Sequence, residues 1–159
     1  HGEFADFEPC GFGHKPVQSP HPPIYFSGLR DPKRSANRVA KYGLAGWIGI
    51  QDTPREFTEW RTAIARELEA LGKSIDDLDM CSMIWFVITD TETDQSNMGK
   101  GSNLLAGTAG QITDMLKRYR DAGLTMPMLW PPFADVPVSK TMDDMKQLVE
   151  EIMPKVNEG

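Results

Sequence analysis

Short apolar runs alternate with helical runs four times along this chain, and that alternation limits the fold more than any other feature. The apolar runs lie at 24–27, 45–50, 80–88 and 124–130. Each reads as a strand, and their near-continuous apolar character predicts strands covered on both faces, as in a parallel sheet. Pro127 sits awkwardly in the last run, because proline removes a ladder donor.

The helices between them carry explicit start and stop signals. Thr53-Pro54-Arg55-Glu56 holds a capping threonine, a proline at the first helical position and a glutamate three residues after the cap. Phe57, Trp60, Ile64, Leu68 and Leu71 then recur at helical spacing, and Gly72 closes the run. Thr108 with Gln111 opens a second helix, with Ile112, Met115, Leu116 and Tyr119 as its buried stripe and Gly123 as its stop. A shorter helix after Asp31-Pro32 buries Ala36, Val39 and Ala40 and ends at Gly43. A last helix, from about Thr141, places Met142, Met145, Leu148, Val149, Ile152 and Met153 on one face. Residues 1–23 read as an extended proline-rich lead-in, and 89–107 as a polar loop insertion, aperiodic over 89–101.

Strand followed by helix, four times, fits a doubly wound open sheet or half of an eight-stranded β/α barrel. A complete barrel takes about 250 residues, and this chain has 159. The expected fold class is therefore α/β, a single partial domain over 1–159, possible as a half-barrel completed by dimerisation. The chain opens on His1 and reads like the middle of something, so a fragment of a full barrel is among the expectations.

A net charge of −6 gives no basic footprint, which argues against a nucleic-acid partner. No apolar run approaches the roughly 18 residues of a membrane span, and no signal peptide is visible. Cys10 and Cys81 stand far apart with no CxxC, which reads as reduced thiols in a cytoplasmic protein.

In either architecture the chemistry belongs at the carboxyl ends of the strands. That rule gathers Ser27 and Gly28, Gln51 and Asp52, Thr89 and Asp90, and Trp130 with Pro131 on one rim. Ser27 and Gly28 are candidates to hold an anion: glycine lets backbone approach a phosphate, serine donates, and a helix follows. Arg30, Lys33 and Arg34 add positive charge nearby. The plainer alternative is a tight turn beside solvated basic residues. Gly107-Thr108 is a second candidate anchor, with an ordinary helix cap as its alternative. Trp47, Trp85 and Trp130 could wall a flat ligand or simply fill a core.

Other signals fail. Gly11-Phe12-Gly13 lacks the third glycine and the preceding strand of a dinucleotide fingerprint. Gly99-Lys100-Gly101-Ser102 lacks the upstream glycine of a phosphate loop. There is no GxSxG elbow, and His1, His14 and His21 all fall in the amino-terminal segment, which leaves a triad or a metal site without support. Asp76, Asp77 and Asp79, like Asp90, Glu92 and Asp94, read as solvated loop charge.

Taken together, several stretches resemble the luciferase-like monooxygenase family. They are Gly2-Glu3-Phe4, Asp6-Phe7, Lys15-Pro16-Val17-Gln18 and Pro20-His21-Pro22-Pro23-Ile24, then Arg38-Val39-Ala40, Gly46-Trp47-Ile48, Thr53-Pro54-Arg55-Glu56, Gly107-Thr108 and Tyr119-Arg120-Asp121-Ala122-Gly123. The resemblance implies a β/α barrel that uses a flavin or a deazaflavin, with this segment matching strands five to eight. It places Ser27-Gly28 on the turn after strand five, part of the cofactor phosphate site. The family more often has Gly-Gly at Ser27-Gly28, proline at His14, aspartate at Ala45 and proline-glutamate at Ala109-Gly110. Strands one to four, which carry much of the ring pocket and the proton-handling residues, have no counterpart in this sequence.

The expectation is a flavin-dependent oxidoreductase or monooxygenase, or a fragment of one, that activates dioxygen or transfers hydride. Its cofactor is FMN, with deazaflavin as the alternative, held by Ser27, Gly28, Arg30, Gly107 and Thr108. No catalytic residue and no metal is assigned. The partners expected are a small-molecule substrate and further copies of the chain, with neither nucleic acid nor membrane. Competing with this is a non-catalytic flavin-binding half-barrel or an inactive truncated fragment.

Overall fold

Three capping side chains set where the helices begin. The computed structural model describes residues 2–11, 13–27, 31–50, 52–94, 104–131 and 136–158. Asp31 caps α1 (Pro32–Tyr42) by accepting from the Arg34 amide at 3.0 Å, and Gly43 ends it with φ of 60°. Thr53 and Glu56 form the expected capping box on α2 (Pro54–Glu69), and Thr108 with Gln111 does the same for α3 (Ala109–Asp121). These helices alternate with strands β1 (Tyr25–Ser27), β2 (Gly46–Ile50), β3 (Asp79–Ile88), β4 (Leu104–Gly107) and β5 (Met126–Trp130). The chain ends in α4 (Val138–Gln147), a π-helical turn at Leu148–Ile152 and α5 (Met153–Asn157).

Among the described residues all strand pairings are parallel. β1 lies on β2 with Tyr25 opposite Gly46, and β2 lies on β3 with Gly46 opposite Asp79. The long central β3 carries β5 along Cys81–Trp85 and β4 along Trp85–Ile88. β4 falls inside the interval read from sequence as a polar loop. That reading is corrected for its last four residues: Leu104 and Leu105 are apolar, but too short a run to stand out until β3 supplies a partner. Pro127 is accommodated because β5 pairs with β3 alone among the described residues, and an edge strand tolerates a missing donor.

Right-handed crossovers between neighbouring parallel strands carry the helices to one face of a sheet. Trp47, Met80, Ile84, Phe86, Ile88 and Leu105 point to that face and merge with Ala36, Phe57, Ile64, Leu68, Ile112, Leu116 and Ile152. The Trp47 and Phe57 rings lie 5.9 Å apart, tilted by 51°. The alternate residues point the other way. Ile48, Met83, Trp85, Val87, Met128 and Trp130 are only half-buried, and Ile50 is 43% exposed. The expectation of strands covered on both faces is therefore corrected. Apolar character on both sides of a strand does not say whether a covering layer lies in the same chain.

The last helix also departs from its reading. Asp144, Leu148, Ile152 and Val156 form the buried line, whereas Met142 and Val149 are 61% and 66% exposed and Met145 is exposed as well. The buried line contains a carboxylate, so its spacing does not stand out as apolar. Leu71, expected on the buried stripe of α2, is likewise exposed.

Candidate functional site

Because every strand runs the same way, their carboxyl ends share one edge. Ser27, Ile50 followed by Asp52, Ile88 followed by Thr89, Gly107 with Thr108, and Trp130 all lie along it. The structure thus brings Ser27, Gly107 and Thr108 to one side of the sheet. Gly28 and Arg30 lie outside the described residues, as do Gln51 and the 99–102 run. Lys33 and Arg34 lie on the exposed side of α1.

Asp31 changes the electrostatics of the first anchor. Its carboxylate sits on the amino end of α1 and already offsets the positive end of that helix. A phosphate at this turn would rely on the Ser27 hydroxyl and its neighbours, with little help from the dipole.

The amino end of α3 is capped by neutral groups. The Thr108 hydroxyl accepts from the Gln111 amide at 3.4 Å, and Gln111 Oε1 accepts from the Thr108 amide at 3.1 Å. No acidic residue lies in the first turn, so the dipole keeps its positive end. Gln111 also reaches Thr93: its Oε1 accepts from the Thr93 amide at 3.1 Å, and its Nε2 donates to the Thr93 carbonyl at 2.9 Å. The Thr93 hydroxyl donates to the Ala106 carbonyl. One glutamine therefore caps the helix and ties down the polar segment in front of it. Gly107 makes this possible, because a Cβ there would lie 2.5 Å from Gln111 Oε1.

Beside β2, Asp52 is buried, and its main-chain carbonyl accepts from the buried Tyr119 hydroxyl at 2.7 Å. Burial pushes the Tyr119 phenol well above its ordinary range, with the charges of Asp52 and Glu56 adding to the effect. A Cβ on Gly49 would meet Asp52 Oδ2 at 2.7 Å, so glycine lets the carboxylate fold back over the strand.

At the end of β3, two side chains of α4 satisfy both backbone groups of Ile88. The Ile88 amide donates to Asp144 Oδ2 at 3.4 Å, and the Ile88 carbonyl accepts from Lys140 Nζ at 2.7 Å. Lys140 and Asp144 also pair with each other. Ladder pairing with β5 has already stopped at Trp85, and this pair takes its place. Sequence reading missed both residues. Their i,i+4 spacing was the available signal. Next to them lies an open concavity of about 500 Å³, lined by Val87, Thr89, Asp90, Val136, Pro137 and Lys140.

Among the described residues, no three His, Cys, Asp or Glu side chains are placed to hold a metal. His14 and His21 are exposed in the amino-terminal segment. Cys10 and Cys81 are both free thiols, as expected. No described helix is long and apolar enough to cross a membrane.

No protein-family model matches the chain, and no curated protein sequence matches it. Solved structures do. Monooxygenase RslO1 from Streptomyces bottropensis superposes with a TM-score of 0.72 at 16% identity, over 97% of this chain and 54% of that one. An F420-dependent secondary alcohol dehydrogenase in complex with an F420–acetone adduct gives 0.62 at 16% identity, over 86% and 49%. A riboflavin lyase with modified FMN and riboflavin gives 0.56 at 13%, over 84% and 42%. The fold is half of a luciferase-like β/α barrel. The chain spans about half the length of the structures it matches, and identities this low establish the fold alone. Within the half-barrel, the open apolar sheet face corresponds to a barrel interior, and the shared carboxyl edge to the rim where barrel chemistry sits.

Proposed function

We propose that this half-barrel is the cofactor-holding part of a luciferase-like oxidoreductase that uses FMN or a deazaflavin. Such a cofactor supplies hydride transfer or the activation of dioxygen. The chain's own residues would bind it, orient it and keep water from it. The tail phosphate would lie on the carboxyl edge, held by Ser27, Gly28, Arg30, Gly107 and Thr108. The flat ring would lie against the apolar face near Trp85 and Trp130.

The observation that carries this reading is the joining of two surfaces on one sheet. An apolar, half-exposed strand face suits a planar ring. At its carboxyl edge stands a helix amino end that is capped without any negative charge, which suits a phosphate. The residues present fit both ends of the molecule. The fold match to an F420-dependent alcohol dehydrogenase and to a riboflavin lyase with modified FMN supports the cofactor class. A small-molecule substrate and a cytoplasmic setting belong to the same reading.

Titration of the purified chain with FMN, F420 and riboflavin, read by quenching of ligand fluorescence, tests it. FMN or F420 is expected to bind, with riboflavin, which lacks the phosphate, at least tenfold weaker. Gly107→Val and Ser27→Ala should each weaken the phosphorylated ligand and leave riboflavin unchanged. Absence of binding by both cofactors, or equal binding of FMN and riboflavin, would overturn the assignment.

A further inference from the structure

We infer that the outer face of α1 binds an oligoanionic cofactor tail, and that of the two cofactors named above the chain takes the deazaflavin F420. This rests on the cofactor reading and narrows it. FMN ends in a phosphate monoester. F420 continues past its phosphate into a chain of γ-linked glutamates, each with a free carboxylate.

α1 is basic in a chain that is acidic. The sequence has 23 Asp and Glu against 17 Lys and Arg, so an average helix of this chain would hold more acid than base. α1 carries Lys33, Arg34, Arg38 and Lys41 and no acidic residue. By contrast α2, α3 and α4 each pair a cation with an acid: Arg55 with Glu59, Arg120 with Asp121, and Lys140 with Asp144. No cation of α1 forms an ion pair among the described residues. Arg38 lies over the Phe26 ring at 4.7 Å, and Lys41 Nζ lies 5.1 Å from the Tyr42 ring. Such ring contacts orient a cation without cancelling its charge.

The placement of these charges matters as much as their number. Ser35, Ala36 and Val39 are buried, and Lys33, Arg34, Asn37 and Lys41 occupy the opposite, exposed arc of the helix. That arc points away from the sheet, so it is the outside of the helical layer whatever flanks the sheet. α1 also begins at the carboxyl edge, because β1 ends there at Ser27 and Pro32 opens the helix. Asp31, the acid just before it, has its carboxylate on the Arg34 amide. A phosphate at Ser27 and Gly28 would therefore send its tail past Lys33 and Arg34 and on towards Lys41. Lys33 and Lys41 are about 12 Å apart along the helix axis. A row of carboxylates complements this row of cations, whereas a lone phosphate would use only its first members.

Fluorescence titration of the 159-residue chain with F420, with its glutamate-free counterpart and with FMN tests the assignment. F420 is expected to bind at least tenfold tighter than the glutamate-free form. Raising NaCl from about 0.05 M to about 0.5 M, which shortens the screening length severalfold, should close most of that gap. Lys33→Gln/Lys41→Gln should close it too, with helical circular dichroism retained. Both deazaflavins are titrated against each protein, so a general loss of fold or of ring binding cancels in their ratio. Equal affinity of the two forms, tighter binding of FMN than of F420, or a gap that survives the double substitution overturns the tail assignment and leaves a phosphate-tailed cofactor at the rim. If none of the three ligands binds, the cofactor reading falls and the tail assignment falls with it.

Discussion

Tyr25 on β1 donates its phenolic hydrogen to Asp79 Oδ2 on β3 at 2.6 Å, and the two meet across Gly46 of the strand between them. The three residues form one lateral row at the amino end of the sheet. Only glycine fits in the middle: a Cβ there would lie 2.6 Å from the Tyr25 ring and 2.5 Å from the Asp79 carbonyl. Gly46→Ala should therefore cost about 2 kcal/mol, as overpacking of a fixed site does. Tyr25→Phe, which removes only the hydrogen bond, should cost about 1 kcal/mol. Urea unfolding of the two variants checks the order, and a milder effect for Gly46→Ala would mean that the ring moves aside.

The Lys140–Asp144 pair makes a sharper prediction. Asp144→Ala leaves the Ile88 amide and the Lys140 ammonium without this acceptor, for an expected loss of about 2 kcal/mol. Exchange of the Ile88 amide hydrogen should accelerate more than exchange of amides at the amino end of β3. Replacing both members by apolar residues, Lys140→Met with Asp144→Leu, should recover little of the loss, because the Ile88 amide and carbonyl then both lack these side-chain partners. If Asp144→Ala unfolds at the parent's urea midpoint and exchange at Ile88 is unchanged, the pair is not what holds α4 to the strand.

These two sites also mark what could be read from sequence. Helix starts at Thr53 and Thr108 were legible because a capping box is local chemistry: donor and acceptor lie three residues apart. The strand runs were legible because apolar continuity survives without knowledge of the partner. The burial phase of α4 was not, because Asp144 interrupts the apolar spacing and the amide that donates to it, Ile88, lies on a strand 56 residues earlier. β4 escaped for the same reason, since four residues become a strand only beside β3. Ser27, Gly107 and Thr108 of the candidate site follow from the rule that parallel strands share a carboxyl edge. The tie between Thr93 and Gln111 could not, because nothing local marks Thr93 among the loop threonines.

Cys81 and Cys10 should behave differently towards a thiol reagent. Cys10 is exposed and should react at once, and Cys81 only on unfolding. Burial, with the Asp79 charge adding, pushes the Cys81 thiol up to about 11. In the unfolded chain a thiol ionises near 8.5. The folded state therefore keeps its proton longer, and the associated stability is complete below about pH 8.5 and lost as pH rises towards 11. The urea midpoint should be flat around neutrality and fall across that window, and Cys81→Ala should shallow the fall. A midpoint that rises with pH in this range would contradict the assignment.

Gln111 joins the cap of α3 to the polar segment before it, so its removal should act in two places. Gln111→Ala deletes the acceptor for the Thr108 and Thr93 amides and the donor to the Thr93 carbonyl. Loss of a capping interaction costs about 1 kcal/mol. Global stability alone would not separate cap from tether, so the diagnostic is local. Limited proteolysis should cut the variant within 89–94 several-fold faster than the parent, because the Thr93 backbone has lost its side-chain partner. Thr93→Val, which removes the hydroxyl and spares the backbone bonds to Gln111, should speed cleavage much less. Equal cleavage of all three proteins would show that the segment is held by other contacts, with Gln111 acting as a helix cap alone.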